Sequence, residues 1–247
     1  METVEFIETL RHDGTLLAGA AEQAGLDAPV PTCPEWRVRD LVQHTGTVHR
    51  WATGFIVEGR MEPAPIEGKV PDDDTLLDWY REAHARLVDA LTAAPADLRC
   101  WHFFGAPSSL EFWARRQAHE TAVHRVDAEA ALSTAPSPVT TAFAADGVDE
   151  LLAGFHTRPR SRVRTELPRT LHVRAADAPA GTGDWTVHLS QEAPRVERGA
   201  PGAADCTVSG PAADLYLALW NRGPYERLDV SGDAELMELW RRTSPIV

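Results

Sequence analysis

Over the first 157 residues the apolar positions recur at helical spacing. Between residues 4 and 25 they are Phe6, Leu10, Leu16, Leu17 and Ala20, and Gly25 stands where a helix-ending glycine belongs. Pro29, Pro31 and Pro34 mark a turn-rich connection. The next helix is predicted over residues 38–56, with Val38, Leu41, Thr45, Val48, Ala52 and Phe55 as its stripe. After a loop over 63–71, Asp72, Asp73 and Asp74 favour a helix start by charge–dipole attraction. Leu76, Leu77, Tyr80, Ala83, Leu87 and Leu91 carry that third helix to about residue 94. An aromatic connection follows, with Trp101, His102, Phe103 and Phe104. Ser108 and Glu111 match a capping box that opens a long fourth helix, and Pro136 and Pro138 lie beyond its end near residue 132. A fifth helix is predicted over residues 140–155.

The pattern changes at residues 157–168, where arginine, proline and polar residues alternate, and the domain boundary is placed there. Residues 1–157 form the helical domain and 158–247 the second. Period-two alternation begins beyond the boundary, at residues 170–174 and 185–189, with a hairpin loop between them. Residues 206–209 read as a third strand, Pro211 opens a helix to Trp220, residues 228–231 read as a short strand, and residues 233–242 as a last helix. The fold class is therefore α+β in two domains: a four-helix bundle with an extra helix, then a small α+β domain on a mostly antiparallel sheet.

Composition narrows the classes of function. A net charge of −13 supplies no basic field for nucleic acid or an anionic membrane, and no apolar run is long enough to span one. The acidic balance points to solubility and does not itself name a partner; a monomer or homodimer is expected. Cys33, Cys100 and Cys206 are far apart and include no CxxC pair, so neither a disulfide framework nor a thiolate metal knuckle is indicated. The first residues lack a signal-peptide pattern, and the expected compartment is the cytoplasm.

The fourth helix carries the candidate chemistry. Trp113, Gln117, Glu120, His124 and Asp127 fall within about 60° of Glu120 on a helical wheel, beside the apolar face. Glu120 and His124, four residues apart, project from adjacent turns in one direction, which is a chelating arrangement for a divalent metal. A third ligand has to come from another helix. The second helix offers His44 and His49, and spacing alone leaves both open. The competing reading of a Glu–His pair at this spacing is a half-buried polar pair with no ion. His84, His102 and His119 read as packing or solvated residues. Asp127 is either an acceptor that orients His124 or an exposed carboxylate.

The run Thr32-Cys-Pro-Glu-Trp-Arg-Val-Arg-Asp-Leu-Val-Gln-His44 resembles a signature of the mycothiol-dependent maleylpyruvate isomerase family, within the DinB-like metal-binding helical superfamily. Arg116-Gln-Ala-His-Glu-Thr-Ala-Val-His-Arg-Val-Asp-Ala128 resembles its second signature. The resemblance implies that His44, Glu120 and His124 hold zinc, or another divalent metal, and that mycothiol is the thiol cosubstrate. It implies a sterol-carrier-like second domain, in which Leu215-Tyr-Leu-Ala-Leu-Trp-Asn-Arg222 resembles the segment whose arginine acts in the reaction. Arg222 would then clamp a carboxylate of substrate or thiol; its other reading is a helix-end cation that caps carbonyls. Where the family pattern leads one to expect an aromatic residue after His124-Arg125, this chain has Val126, which alters the wall beside the ligands and leaves the substrate open.

Two imidazoles and one carboxylate with a vacant fourth position make the catalytic rather than the structural zinc pattern. The implied enzyme uses zinc to activate a low-molecular-weight thiol, which attacks a small electrophile and gives isomerisation or S-transfer. The alternatives are a hydrolase that uses zinc-bound water, and a non-catalytic protein that binds a small ligand or partner.

Overall fold

The helices of the first half form where the apolar spacing places them. They are α1 (Thr3–Ala24), α2 (Val38–Glu58), α3 (Asp73–Ala93) and α4 (Ser109–Ala130), in a computed structural model that describes residues 1–246. Gly25 closes α1 at φ 80°, giving its N–H to the Ala21 carbonyl, and the Ser108 hydroxyl opens α4 by accepting from the Glu111 N–H at 3.1 Å. Both caps satisfy backbone groups that a helix leaves without partners.

The chain divides into two compact units, Met1–Ser137 and Pro138–Val247. In the first, α1 packs on α4 and α3, and α2 packs on α3 and α4. Leu10, Leu17, Leu41, Phe55, Tyr80 and Trp113 fill the core with no more than traces of exposed surface. Helix α4 is buried around nearly its whole circumference, including Arg116, Arg125, Asp127 and Glu129. Charges so placed need partners, because desolvation outweighs any single contact. Arg125 donates to Glu129 at 2.8 Å and to the Ser137 carbonyl at 2.9 Å, with the Asp13 carboxylate 3.5 Å away. Helices α1 and α3 approach closely at Gly14, where a Cβ would lie 2.2 Å from His84 Nε2. The missing side chain lets the His84 ring reach the Leu10 carbonyl at 3.0 Å.

In the second unit, α5 (Thr141–Asp149) continues as a π-helical turn, Glu150–Phe155. The strands β1 (Arg169–Ala175), β2 (Asp184–Leu189), β3 (Arg195–Arg198), β4 (Cys206–Gly210) and β5 (Asp229–Gly232) form one sheet in the order β3-β2-β1-β4-β5. Every pairing is antiparallel except β1 with β4, so the expected mostly antiparallel sheet forms with one parallel pair at its centre. Helix α6 (Ala212–Leu219) packs on α5, and α7 (Glu235–Thr243) buries Leu236, Met237 and Trp240.

Two features differ from the sequence expectation. The extra helix belongs to the second unit, so the division precedes the composition change at 157–168. The reason is packing: α5 lies on α6, and Asp149 at its end accepts from Trp185 Nε1 at 3.1 Å and from Arg198 at 2.7 Å. The arginine- and proline-rich stretch is a loop within that unit. Strand β3 was not expected, because Val196 is its only apolar residue and three of its four positions are exposed. No helix among the described residues is long and apolar enough to cross a membrane.

Gly14→Ala forces a methyl group into the space of the His84 ring. It should destabilise the protein by about 1–3 kcal/mol, read as a lower denaturant midpoint; an unchanged midpoint contradicts the close α1–α3 approach.

Candidate metal centre

Helices α2 and α4 run antiparallel. Trp51 and Phe55 pack on Trp113 with ring centroids 5.2 Å apart, His49 meets Thr121, and His44 meets Glu120 and His124. The numbering climbs on one helix as it falls on the other. The aromatic contacts at one end hold the two helices in register and so bring the polar residues at the other end face to face.

There His44 Nε2 lies 3.2 Å from Glu120 Oε1, and His124 Nε2 lies 3.3 Å from the same oxygen. One donor atom from each of His44, Glu120 and His124 falls within 4.8 Å of the others. Each remaining atom of the Glu120–His124 pair is tied elsewhere. Arg116, one turn earlier on α4 and buried, donates from Nη2 to Glu120 Oε2 at 3.0 Å. His124 Nδ1 faces Asp127 Oδ2 at 2.9 Å. Asp127 is fully buried, and it accepts from Thr32 Oγ1 at 2.5 Å and Cys33 Sγ at 3.7 Å. The carboxylate that faces Nδ1 assigns a ring proton there, so that in the neutral ring Nε2 carries the lone pair a metal would use.

The turn between α1 and α2 adds a wall. Cys33 N–H closes on the Val30 carbonyl, and Trp36 N–H closes on the Cys33 carbonyl at 2.8 Å. This places the Trp36 ring 5.0 Å from that of His44 and, stacked, 5.8 Å from that of His124. Side-chain exposure is 36% for His44, 20% for Glu120 and 9% for His124, so the cluster opens to solvent on the His44 side.

The electrostatics suit cation binding. Burial by itself would raise the Glu120 carboxyl, but the hydrogen bonds with His124 and His44, with the charges of His124 and Arg116, hold it well below the usual carboxylate range. Burial opposes charge on His124 as well, yet Asp127 and Glu120 outweigh it and raise the ring to about 9. A proton on His124 therefore competes with a metal for Nε2 at neutral pH.

Of the two histidines that spacing left open on α2, His44 is the one brought to Glu120 and His124. His49 lies inside the bundle with its Nε2 2.9 Å from Thr121 Oγ1, and burial together with the nearby His84 keeps its pKa well below 6.5. His84 and His119 are packing residues, as expected; His102 Nδ1 is 2.8 Å from the Phe104 carbonyl. Asp127 takes the orienting position, not the exposed one. Arg222 lies in the second unit, just after α6: Asn221 turns the chain at φ 58°, Arg222 N–H closes on Leu217, and the guanidinium donates to the Trp220 carbonyl at 2.9 Å. Residue-by-residue reading did not single out Arg116, Thr32, Cys33 or Trp36 as functional. The available signal was Arg116 at one-turn spacing before Glu120; the loop residues offered none before the turn was seen folded against α4.

The fold and the site define a class: a helical bundle that presents a His–Glu–His cluster, joined in one chain to a mixed-sheet α+β domain. The chain belongs to the mycothiol maleylpyruvate isomerase family: residues 7–129 match its N-terminal domain and residues 142–245 its C-terminal domain. A crystal structure of the mycothiol-dependent maleylpyruvate isomerase superposes with a TM-score of 0.63 at 15% identity, covering 94% of this chain and 93% of that one. A mutant form gives 0.64 at 13% identity over the same shares. At such identities the likeness establishes the shared fold. No curated protein matches the sequence.

The raised His124 ring sets a pH dependence. A folded pKa of about 9 against 6.5 contributes stability that is complete below about pH 6.5 and is lost as pH rises through 9. The metal-free protein should lose stability across that window, and His124→Gln should flatten the profile. A level unfolding midpoint in the metal-free wild type contradicts the assignment.

Proposed function

We propose that the protein is a metal-dependent, mycothiol-using enzyme, in which a divalent metal held by His44, Glu120 and His124 activates a small thiol for attack on an electrophilic substrate. The observation that carries this reading is the convergence of those three donor atoms within 4.8 Å, in a chain of this family. Two imidazoles and a carboxylate are a donor set that suits zinc and leaves a position for an outside ligand. When bound, such an ion supplies Lewis acidity that deprotonates a coordinated thiol at neutral pH.

The chain's own residues have distinct parts in this reading. Asp127 fixes the His124 ring so that Nε2 is the donor, and Arg116 fixes Glu120. The exposed side of His44 gives access. The chain's cysteines are poor substitutes for an added thiol. Cys33 gives its S–H to Asp127; burial pushes the Cys100 thiol up, and burial with the charges of Asp233 and Asp205 raises Cys206 to about 11. The likeness of residues 215–222 to the family segment supports Arg222 as a binder of a carboxylate on substrate or thiol, beside the carbonyl-capping contact it makes to Trp220. With a carbonyl-activated cis-alkene such as maleylpyruvate, thiolate addition to one alkene carbon leaves a single bond free to rotate. Elimination then returns the thiolate and leaves the trans isomer.

The test combines metal-loaded protein, mycothiol and maleylpyruvate. Isomer formation should require both thiol and metal and should stop when a chelator removes the ion; turnover without thiol overturns the reading in favour of hydrolysis by metal-bound water. His44→Ala should lose most of its bound metal by elemental analysis. Arg222→Ala should keep its metal and lose about 10- to 100-fold in kcat/KM, as expected for a hydrogen bond between charged groups; unchanged kinetics leave Arg222 with its carbonyl-capping contact alone.

A further inference from the structure

We propose that Arg116 keeps Glu120 to a single coordinating oxygen, and thereby keeps a metal position free for a ligand that the protein does not supply. The inference rests on the metal reading above and adds a positioning residue to it. The two oxygens of Glu120 are divided between tasks. Oε1 lies 3.2 and 3.3 Å from the two imidazole nitrogens, whereas Oε2 is held at 3.0 Å by Arg116 Nη2. A carboxylate without such a partner can swing both oxygens onto one ion and fill the position that a thiol needs.

Arginine suits this task for two reasons. A guanidinium only donates and cannot become a ligand itself, and it keeps its proton even when buried. A lysine in the same place is more easily deprotonated and could then join the metal. Spacing fixes the geometry, since Arg116, Glu120 and His124 follow one another at four-residue steps on one face of α4.

The simpler account of Arg116 is a helix-stabilising ion pair with Glu120. Burial does not decide between the accounts, since Arg116 is 3% exposed and the Arg125–Glu129 pair, at the same spacing, is buried too. A buried cation beside a bound metal also repels it. Removing the charge can therefore raise metal affinity on either account, and what separates them is the coordination of the ion: only where Arg116 holds Oε2 away does its loss let both Glu120 oxygens bind.

The experiment uses the full chain loaded with cobalt(II), whose visible bands are intense in four-coordinate sites and weak in five-coordinate ones. Arg116→Met and Arg116→Gln are compared with wild type, with circular dichroism to verify folding. The expected result is weaker visible bands, cobalt affinity equal to or above wild type, and a mycothiol Kd raised about tenfold, read from the thiolate-to-cobalt charge-transfer band. Wild-type bands and wild-type mycothiol affinity in a folded variant overturn the inference, as does a loss of cobalt affinity. A check on the wild type does not depend on either variant folding. Its metal-minus-apo infrared difference spectrum should show the wide carboxylate splitting of one-oxygen coordination; the narrow splitting of two-oxygen chelation overturns the inference. A wild-type chain that binds no cobalt overturns the metal reading, and this inference with it.

Discussion

The buried carboxylate of Asp127 joins the turn between α1 and α2 to α4. One oxygen takes the Thr32 hydroxyl, and the other takes the Cys33 thiol and the His124 ring. An unpaired carboxylate in that position would carry a large desolvation cost, so burial is tolerable only with all of these donors in place. The same contacts dock the turn between α1 and α2 on α4, and the docked turn sets the Trp36 ring against both histidines of the cluster. The motif around Thr32 thus has a mechanical meaning: its first residues lock onto α4, and its tryptophan covers the site.

Helix α4 is built around such exchanges. An ordinary surface helix buries one stripe, but α4 buries charged residues on several sides and pairs each with a neighbour, Arg116 with Glu120 and Arg125 with Glu129. The aromatic contacts of Trp51, Phe55 and Trp113 hold α2 in register against it. Rigid support of this kind holds three donor atoms close together, which lowers the reorganisation needed when a metal binds.

The long helices of the first half were legible because their apolar residues repeat at one period over five or more turns, and their caps are written in Gly25 and Ser108. Strand β3 was illegible, because a four-residue edge strand with one apolar side chain has no alternation to detect. The composition change at 157–168 lies inside the second compact unit, because composition marks exposed loops and contacts involving Asp149 hold that unit together. Within the site, Glu120 and His124 could be paired from spacing, since four residues make one helical turn. The choice between His44 and His49 depends on the rotation of α2 against α4, which no local pattern encodes; the resemblance to known signatures pointed to His44. The contact from Arg116 to Glu120 was visible as spacing, but its burial was not, because α4 has almost no amphipathic contrast.

Membership of the family and the shared fold place this chain among proteins named for a thiol-dependent isomerisation, and in the function proposed above that chemistry is centred on the His44–Glu120–His124 cluster. The most direct measurement is zinc-edge X-ray absorption on the zinc-loaded protein, recorded without and then with mycothiol. The expected spectrum shows two imidazole nitrogens and a carboxylate oxygen at about 2.0–2.2 Å, joined by one sulfur at about 2.3 Å when mycothiol is added. A zinc shell without imidazole scattering, or one that gains no sulfur in the presence of the thiol, contradicts it.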